Sequence, residues 1–334
     1  MNLYATLKQL CLTPSVSGRE GGIRETIKKR ILPFVDSVSV DALGNLIAHR
    51  KGNDTGRRVM LCAHMDEIGF LTNFIEDNGY IRVATLGGVN MIAAAYHKVV
   101  SERGCVGVLV PEGKVRPEDI KPDCVYIDIG ASSKKEAERK VSIGDFFVLA
   151  PELYKLSGKR VAGRPIDDRV GCAVLLAVAE RIADIPLEDD VYFVFSVQEE
   201  VGCRGSAPAT FGIEPTEAIC IDVTRTGDTQ GATPMACALG KGAAVKIKDS
   251  SVICHEAVVS RLFEIAKQEK IPTQKEILTA GGTDTSSMQL TAGGCMAGAI
   301  SIPTRYIHTG VETCDMGDVE ACVKLAEKYI LTRG

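Results

Sequence analysis

The stretch that decides the fold runs from Val191 to Ser206 and reads VYFVFSVQEEVGCRGS. Its first half is a run of Val, Tyr and Phe, which are enriched in β-strands. The run ends on two adjacent glutamates, Glu199 and Glu200, and a glycine-containing turn follows. This order predicts a buried strand that presents two carboxylates at its carboxyl end.

The segments around this strand alternate between helical and strand-like patterns. The helical pattern CAVLLAVAERIAD precedes it, the strand-like run AICIDVT follows it, and a C-terminal helix is predicted from about Asp318. This alternation favours an α/β fold with a mostly parallel sheet and helices on both faces. Ligands of such sheets bind beyond the carboxyl ends of the strands.

The pattern changes between about Phe70 and Ala162, where short β-rich pieces alternate with Gly and Pro turns. We therefore expect a small β-rich domain, residues 70–162, inserted into a larger α/β domain formed by residues 1–69 and 163–334. The length of 334 residues agrees with this division, because a single core rarely grows so large.

Composition excludes several classes of protein. The chain is 45% hydrophobic and 25% charged, with a formal net charge of -4. These values indicate a globular protein, and no basic block predicts nucleic-acid binding. No apolar run approaches the roughly 18 residues of a membrane span. Twelve cysteines without a C-x-x-C pair, after an N-terminus without a signal pattern, predict a cytoplasmic protein with reduced thiols.

Carboxylates and imidazoles recur where apolar runs end. They are His64 and Asp66 in AHMDE, Asp167 and Asp168 in PIDDR, Glu199 and Glu200 in VQEE, Asp222 in CIDVT, and His308 in RYIHT. Taken singly, each has an ordinary structural explanation, since a lone Asp is often a helix cap and paired glutamates are often solvated. Together, at one inferred edge of a sheet, they predict a common site.

The residue types in this set are those of a metal centre. Histidine and carboxylate ligands without thiolates suit Zn²⁺, Co²⁺ or Mn²⁺. Packed carboxylates repel one another without a cation, whereas two divalent ions and a bridging hydroxide would leave the cluster near neutral. Hydrolytic two-metal sites hold their ions about 3.5–4 Å apart, which requires a bridging carboxylate. His64 and Asp66 share one face of a strand, so Asp66 can accept the second imidazole N–H.

The motifs AHMDEIGF, PIDDRVGC, VQEEVGCRG, IDVT, GGTDTSS and RYIHT, in this order, resemble those of the TET-type or glutamyl aminopeptidases. This family contains cytosolic exopeptidases with two co-catalytic metals, and its members are often labelled endoglucanases. The resemblance covers essentially the whole chain. It implies a zinc-exopeptidase-like fold and a metal-dependent aminopeptidase that removes N-terminal residues from short peptides.

The resemblance also implies a role for each site residue. Two Zn²⁺ or Co²⁺ ions, with Mn²⁺ as a further candidate, would share one carboxylate: His64 and Asp222 at one ion, Glu200 and His308 at the other, and Asp167 at both. Glu199 would be the general base that acts with the metal-bridging hydroxide. Asp66 would orient His64, and the Asp167–Asp168 peptide would be cis.

The same resemblance implies self-association. Residues 70–162 would form a PDZ-like dimerisation domain, and the dimers would assemble into hollow tetrahedral homododecamers. Thr285, Ser286 and Ser287 stand where many relatives have Ala or Gly. The sequence therefore leaves the preferred N-terminal residue open between acidic, basic and apolar types.

Two alternatives stay open at this point. A related di-metal dipeptidase, carboxypeptidase or deacylase uses a similar ligand set, although its inserted lid usually lies later in the chain and mixes helices with strands. A non-catalytic scaffold of the same fold would be marked by a lost ligand, and none is missing here.

Overall fold

A computed structural model describes residues 1–53 and 56–332. The helices of this part of the chain are α1 Leu3–Cys11, α2 Gly21–Ile31, α3 Met91–Ala94, α4 Lys134–Ala137, α5 Arg169–Ile182, α6 Ser206–Ile213, α7 Glu256–Gln268, α8 Thr285–Leu290 and α9 Met316–Leu331. The strands build one eleven-stranded sheet and one closed barrel.

The strands of the large sheet come from both ends of the chain. They are β1 Ser37–Val40, β2 Leu46–Arg50, β3 Arg58–His64, β10 Glu152–Lys155, β11 Arg160–Arg164, β12 Asp190–Ser196, β13 Glu217–Thr224, β14 Ala243–Lys248, β15 Thr273–Ile277, β16 Met296–Arg305 and β17 Glu312–Asp315. The barrel strands come from one continuous segment. They are β4 Gly69–Ile75, β5 Ile81–Leu86, β6 Lys98–Ser101, β7 Val106–Pro111, β8 Val125–Asp128 and β9 Phe146–Leu149.

The centre of the large sheet is parallel. Strands β12, β3, β13 and β16 lie side by side and run in the same direction. Their apolar runs suit strands that are buried on both faces. The register pairs His64 of β3 with Ser196 of β12. The carboxyl ends of these strands therefore meet at one edge, as the sequence predicts.

The prediction of a mostly parallel sheet is wrong, because the sheet is mixed. The pairs β1–β2, β2–β12, β16–β17, β17–β11, β11–β10 and β14–β16 are antiparallel. A continuous apolar run shows that a strand is buried but not which way its neighbour runs. The α/β class itself agrees with the structure.

Helices cover both faces of the sheet, as predicted. Successive side chains of a strand point to opposite faces, so Val59 and Leu61 enter one apolar core while Met60 and Cys62 enter another. The first core also contains residues of α1, α2, α5, α7 and α9. The second contains residues of α6 and α8.

The β-rich segment forms a closed barrel with the strand order β4-β5-β8-β7-β6-β9. It has its own core, which includes Phe70, Leu109 and Phe147. The PDZ-like description and the boundaries at 70 and 162 stay predictions. Because β10 pairs with β11 in the large sheet, we favour an earlier end for the insertion, soon after Leu149.

The twelve cysteines are free thiols, and most of them are buried in the cores. They therefore pack as small apolar side chains. In the described ranges 1–53 and 56–332, none of the helices has the length and apolar character that a membrane crossing requires.

Candidate metal centre

The predicted site residues meet at the carboxyl edge of the central strands. His64 ends β3, Asp222 lies near the end of β13, and Asp167 precedes α5. The Glu199–Glu200 pair follows β12, and His308 lies between β16 and β17. These residues line a cavity of about 150 Å³.

Asp167 stands between the two histidines. Its Oδ1 lies 3.0 Å from His64 Nε2 and its Oδ2 lies 3.3 Å from His308 Nε2. Glu200 Oε2 lies 3.2 Å from the same His308 nitrogen, and Asp222 Oδ1 lies 3.9 Å from His64 Nε2. One carboxylate therefore connects two groups of donor atoms.

The donor atoms are close enough to hold metal ions. Two sets that could do so, His64 with Asp167 and Glu200, and His64 with Asp168 and Asp222, each have donor atoms within 4.8 Å of one another. Glu200 Oε1 is buried and has no hydrogen-bond partner in the described part of the chain. An unpaired buried carboxylate oxygen is costly, and a cation would satisfy it.

The cluster carries an excess of buried negative charge. Burial raises the pKa of Asp222 and of Glu200, and repulsion by Asp167 raises both further. The pKa of Asp167 is itself lowered, because its contacts with His308 and His64 outweigh the effect of burial. Divalent cations would balance this charge, so the residues fit the predicted ions.

Asp66 joins His64 to the turn that carries the two glutamates. Its Oδ1 lies 3.4 Å from His64 Nδ1 and accepts a hydrogen bond from the backbone N–H of Glu199 at 3.1 Å. Its Oδ2 accepts from the N–H of Glu200 at 3.3 Å and from Ser17 Oγ at 2.6 Å. Asp66 is fully buried, so this arrangement is shielded from water.

The side chain of Glu199 lies beside the donor groups. Its Oε2 is 4.0 Å from His64 Nε2, and its Oε1 accepts a hydrogen bond from Cys203 Sγ at 3.2 Å. Burial raises the pKa of Glu199 well above its usual value. Burial therefore favours the protonated form of Glu199 more than it does in an exposed glutamate.

Glu312 belongs to the site but was not predicted. Its Oε2 accepts from the backbone N–H groups of Ile166 at 2.6 Å and Asp167 at 3.0 Å. Its Oε1 accepts from the N–H of His308 at 3.0 Å. This bond supports the left-handed backbone of His308, whose φ is 65°, an uncommon conformation outside glycine. One buried carboxylate thus fixes the backbone of two candidate ligands.

Two further aspartates support the site. Asp168 caps α5, since its Oδ1 accepts from the N–H of Gly171 at 3.0 Å. The Asp167–Asp168 peptide is cis, as the resemblance implies. Asp284, which lies in the GGTDTSS motif but was not predicted as a site residue, is buried and accepts from Ser196 Oγ at 2.5 Å and Ser206 Oγ at 2.6 Å.

Comparison with known proteins decides the family. A family model described as M42 glutamyl aminopeptidase matches residues 44–325. The chain belongs to the M42 glutamyl aminopeptidase family. The resemblance found in the sequence is therefore confirmed, and the chain is an aminopeptidase, a peptide hydrolase.

Relatives of this M42 aminopeptidase match it along nearly their whole length. A protein of Acetivibrio thermocellus named "Putative aminopeptidase" is 44% identical, with 98% of each chain covered. The lysyl aminopeptidase of Pyrococcus furiosus is 36% identical over 98% of this chain and 96% of its own.

Solved structures are also similar to this chain over nearly their whole length. An aminopeptidase from the archaeon Desulfurococcus kamchatkensis has a TM-score of 0.94 and 35% identity, with 98% of this chain and 94% of its own covered. The Pyrococcus horikoshii TET1 peptidase, described as assembling into a tetrahedron or a large octahedral shell, has a TM-score of 0.87 and 35% identity, with 98% and 99% covered. A Thermotoga maritima structure described as an endoglucanase has a TM-score of 0.82 and 33% identity, with 97% and 96% covered.

Proposed function

We propose that this M42 aminopeptidase removes N-terminal residues from short peptides with a pair of divalent cations that share Asp167. The observation that carries the proposal is the position of Asp167, whose two oxygens face two different histidines. Asp222 would complete the ion at His64, and Glu200 would complete the ion at His308. In this arrangement each of the five predicted ligands contacts at least one of the two proposed ions.

The donor chemistry suits Zn²⁺ or Co²⁺, with Mn²⁺ as a further candidate. Such ions, once bound, supply a Lewis acid for the scissile carbonyl and lower the pKa of the attacking water. His64 and Asp222 lie on strands and Asp167 precedes α5, and such regular elements hold side chains more firmly than free loops do.

Glu199 is proposed as the general base. Its carboxylate lies 4.0 Å from His64 Nε2, beside the donor groups rather than between them. Its raised pKa suits a group that takes a proton from water and returns it to the leaving amine. Asp66 is proposed as a positioning residue, because it contacts His64 and accepts a hydrogen bond from the backbone N–H of Glu199.

The small cavity supports action on the end of a peptide. The candidate ligands line a cavity of about 150 Å³, and we propose that this cavity receives the N-terminal residue of the peptide. Thr224, Arg225, Leu278 and Thr283 line it beyond the candidate ligands. These side chains are in position to touch the N-terminal residue of a substrate.

The proposal predicts a reaction that requires both a free amine and a metal. The protein should release p-nitroaniline from at least one L-aminoacyl p-nitroanilide in a panel of acidic, basic and apolar residues. A chelator should abolish this release, and added Zn²⁺, Co²⁺ or Mn²⁺ should restore it. The reaction is followed by absorbance.

The matched control is the N-acetylated form of the best substrate, which should not be cleaved. Full activity in the presence of chelator would contradict the metal proposal, and equal cleavage of the acetylated substrate would contradict the aminopeptidase proposal. Carboxymethyl cellulose is a second control, since its hydrolysis would support the endoglucanase description of the Thermotoga structure instead.

We propose that the barrel mediates assembly into a tetrahedral homododecamer. Its outer surface exposes apolar side chains at Ile92, Tyr96, Val106 and Val108. Apolar residues clustered on a surface are typical of protein interfaces. The assembly described for the TET1 peptidase supports the same interpretation, and the free cysteines favour a location in the reducing cytoplasm.

Light scattering after size exclusion should therefore give a particle about twelve times the subunit mass of 35.7 kDa. Val106→Asp should reduce this mass, because it places a charge on the exposed face of β7. Leu32→Asp, at an exposed leucine outside the barrel, is the matched control. A monomer for the unsubstituted protein would contradict the proposal.

A further inference from the structure

A turn of the inserted barrel lies against the metal centre. The turn is formed by Gly87 and Gly88, which directly follow β5. The backbone oxygen of Gly88 lies 2.9 Å from His308 Nδ1. A Cβ placed on Gly87 would come within 3.1 Å of Glu200 Cβ and 3.3 Å of Glu200 Oε2. The turn thus lies against His308 and Glu200, the two ligands proposed for the second ion besides the shared Asp167.

The Gly88 carbonyl determines which nitrogen of His308 can bind a cation. A carbonyl oxygen only accepts hydrogen bonds, so Nδ1 must carry a proton. In the neutral ring this leaves the Nε2 lone pair free, and Nε2 is the atom that faces Asp167 and Glu200 at 3.3 and 3.2 Å. A backbone carbonyl is a common partner for the second nitrogen of a metal-binding histidine.

The barrel holds this turn in place from both sides. Leu86 ends β5 before it, and Val89 packs against the barrel core after it. Asn90 then caps α3, with its side chain accepting from the N–H of Ala93. The residues on both sides of the turn therefore belong to the barrel and not to the large sheet.

Both positions of the turn leave little space for a side chain. Gly87 has a φ of 75°, and a Cβ there would lie 2.6 Å from Ile68 Cγ2. A Cβ on Gly88 would lie 3.0 Å from His308 Nδ1 and 3.2 Å from His308 Cε1. Contacts of 3.0–3.2 Å are tighter than ordinary van der Waals contacts, so a methyl group at Gly88 would displace the imidazole by a few tenths of an ångström.

The ion proposed at His64 and Asp222 does not depend on the Gly87–Gly88 turn in this way. His64 and Asp222 lie on strands of the large sheet, and the Nδ1 of His64 faces Asp66, at the end of β3. We infer that the Gly87–Gly88 turn positions His308 and Glu200, so that the barrel completes one of the two metal sites. This inference rests on the proposed two-metal function.

The test is a Co²⁺ titration of the metal-free protein. Binding is measured by calorimetry and by the visible absorption of the bound ion. The unsubstituted protein should bind two Co²⁺ per chain. In Gly88→Ala, one of the two should bind about 10–100-fold more weakly while the other keeps its affinity. His308→Ala should weaken the same ion, and the double variant should lose little more.

Gly113→Ala is the matched control, because Gly113 lies in the inserted segment and a Cβ there meets nothing within 4 Å. It should bind both ions as the unsubstituted protein does. Two ions bound with unchanged affinity in Gly88→Ala would overturn the inference alone. Fewer than two ions in the unsubstituted protein would contradict the proposed function, and the inference with it.

Hydrogen exchange on the unsubstituted protein tests the same point without a substitution. Co²⁺ should slow amide exchange in the segment 86–91 as well as around His308. Slower exchange around His308 with no change in 86–91 would overturn the inference.

Discussion

Replacing Glu199 with glutamine should lower kcat by about 10²–10⁴-fold, the usual contribution of a general base. Glutamine has nearly the same shape but cannot accept a proton from water. Its amide oxygen can still accept the hydrogen bond from Cys203 Sγ, which Glu199 Oε1 accepts at 3.2 Å. The local structure should therefore be retained while proton transfer is lost. Steady-state kinetics on the best aminoacyl p-nitroanilide measure the effect.

Metal analysis accompanies this measurement. Glu199→Gln should keep two ions per chain, because the proposed ligands do not include Glu199. Glu25→Gln, at an exposed position of α2, is the matched control and should keep full activity. An unchanged kcat in Glu199→Gln would exclude the general-base role.

Replacing Asp167 with asparagine should weaken both metal sites and abolish most activity. The carboxylate presents Oδ1 to His64 and Oδ2 to His308. In asparagine one of these oxygens becomes an NH₂ group, which cannot bind a cation, and the negative charge is lost. Metal analysis after dialysis should find far fewer than two ions per chain.

Asp222→Asn is the matched comparison for Asp167→Asn. Of the two histidines, Asp222 lies near His64, so its replacement should weaken the ion proposed there and spare the other. Retention of two tightly bound ions in Asp167→Asn would contradict its bridging role. Equal loss of both ions in Asp222→Asn would contradict the division of ligands between them.

The main features of the site could be predicted because its ligands stand where apolar strands end. His64, Glu200 and Asp222 follow or end such runs, and the parallel centre of the sheet brings those ends together. Residue type and position in the strand predict a common site, whereas the role of each residue came from the family resemblance. No knowledge of distant contacts was required.

The supporting residues could not be predicted because their partners are distant in sequence. Glu312 accepts from the backbone of Asp167 across 145 residues, and Asp284 accepts from Ser196 across 88. Neither contact produces a local pattern. The Gly87–Gly88 turn looks like an ordinary loop in the sequence, and only the docking of the barrel brings it to His308.

Contacts between distant segments also explain why the topology of the sheet could not be predicted. Burial of β12 and β16 follows from their composition, but the direction of β2 beside β12 depends on pairing between distant segments. Closure of the barrel likewise depends on β4 pairing with β9. Strand content is therefore a local property, and topology is not.

The central claim is that two divalent ions share Asp167. Anomalous diffraction from crystals loaded with Zn²⁺ or Co²⁺, recorded on both sides of the metal absorption edge, tests it most directly. We expect two peaks about 3.5–4 Å apart, both in contact with Asp167, one near His64 and one near His308. A single peak, or a pair of peaks that Asp167 does not contact, would contradict the account.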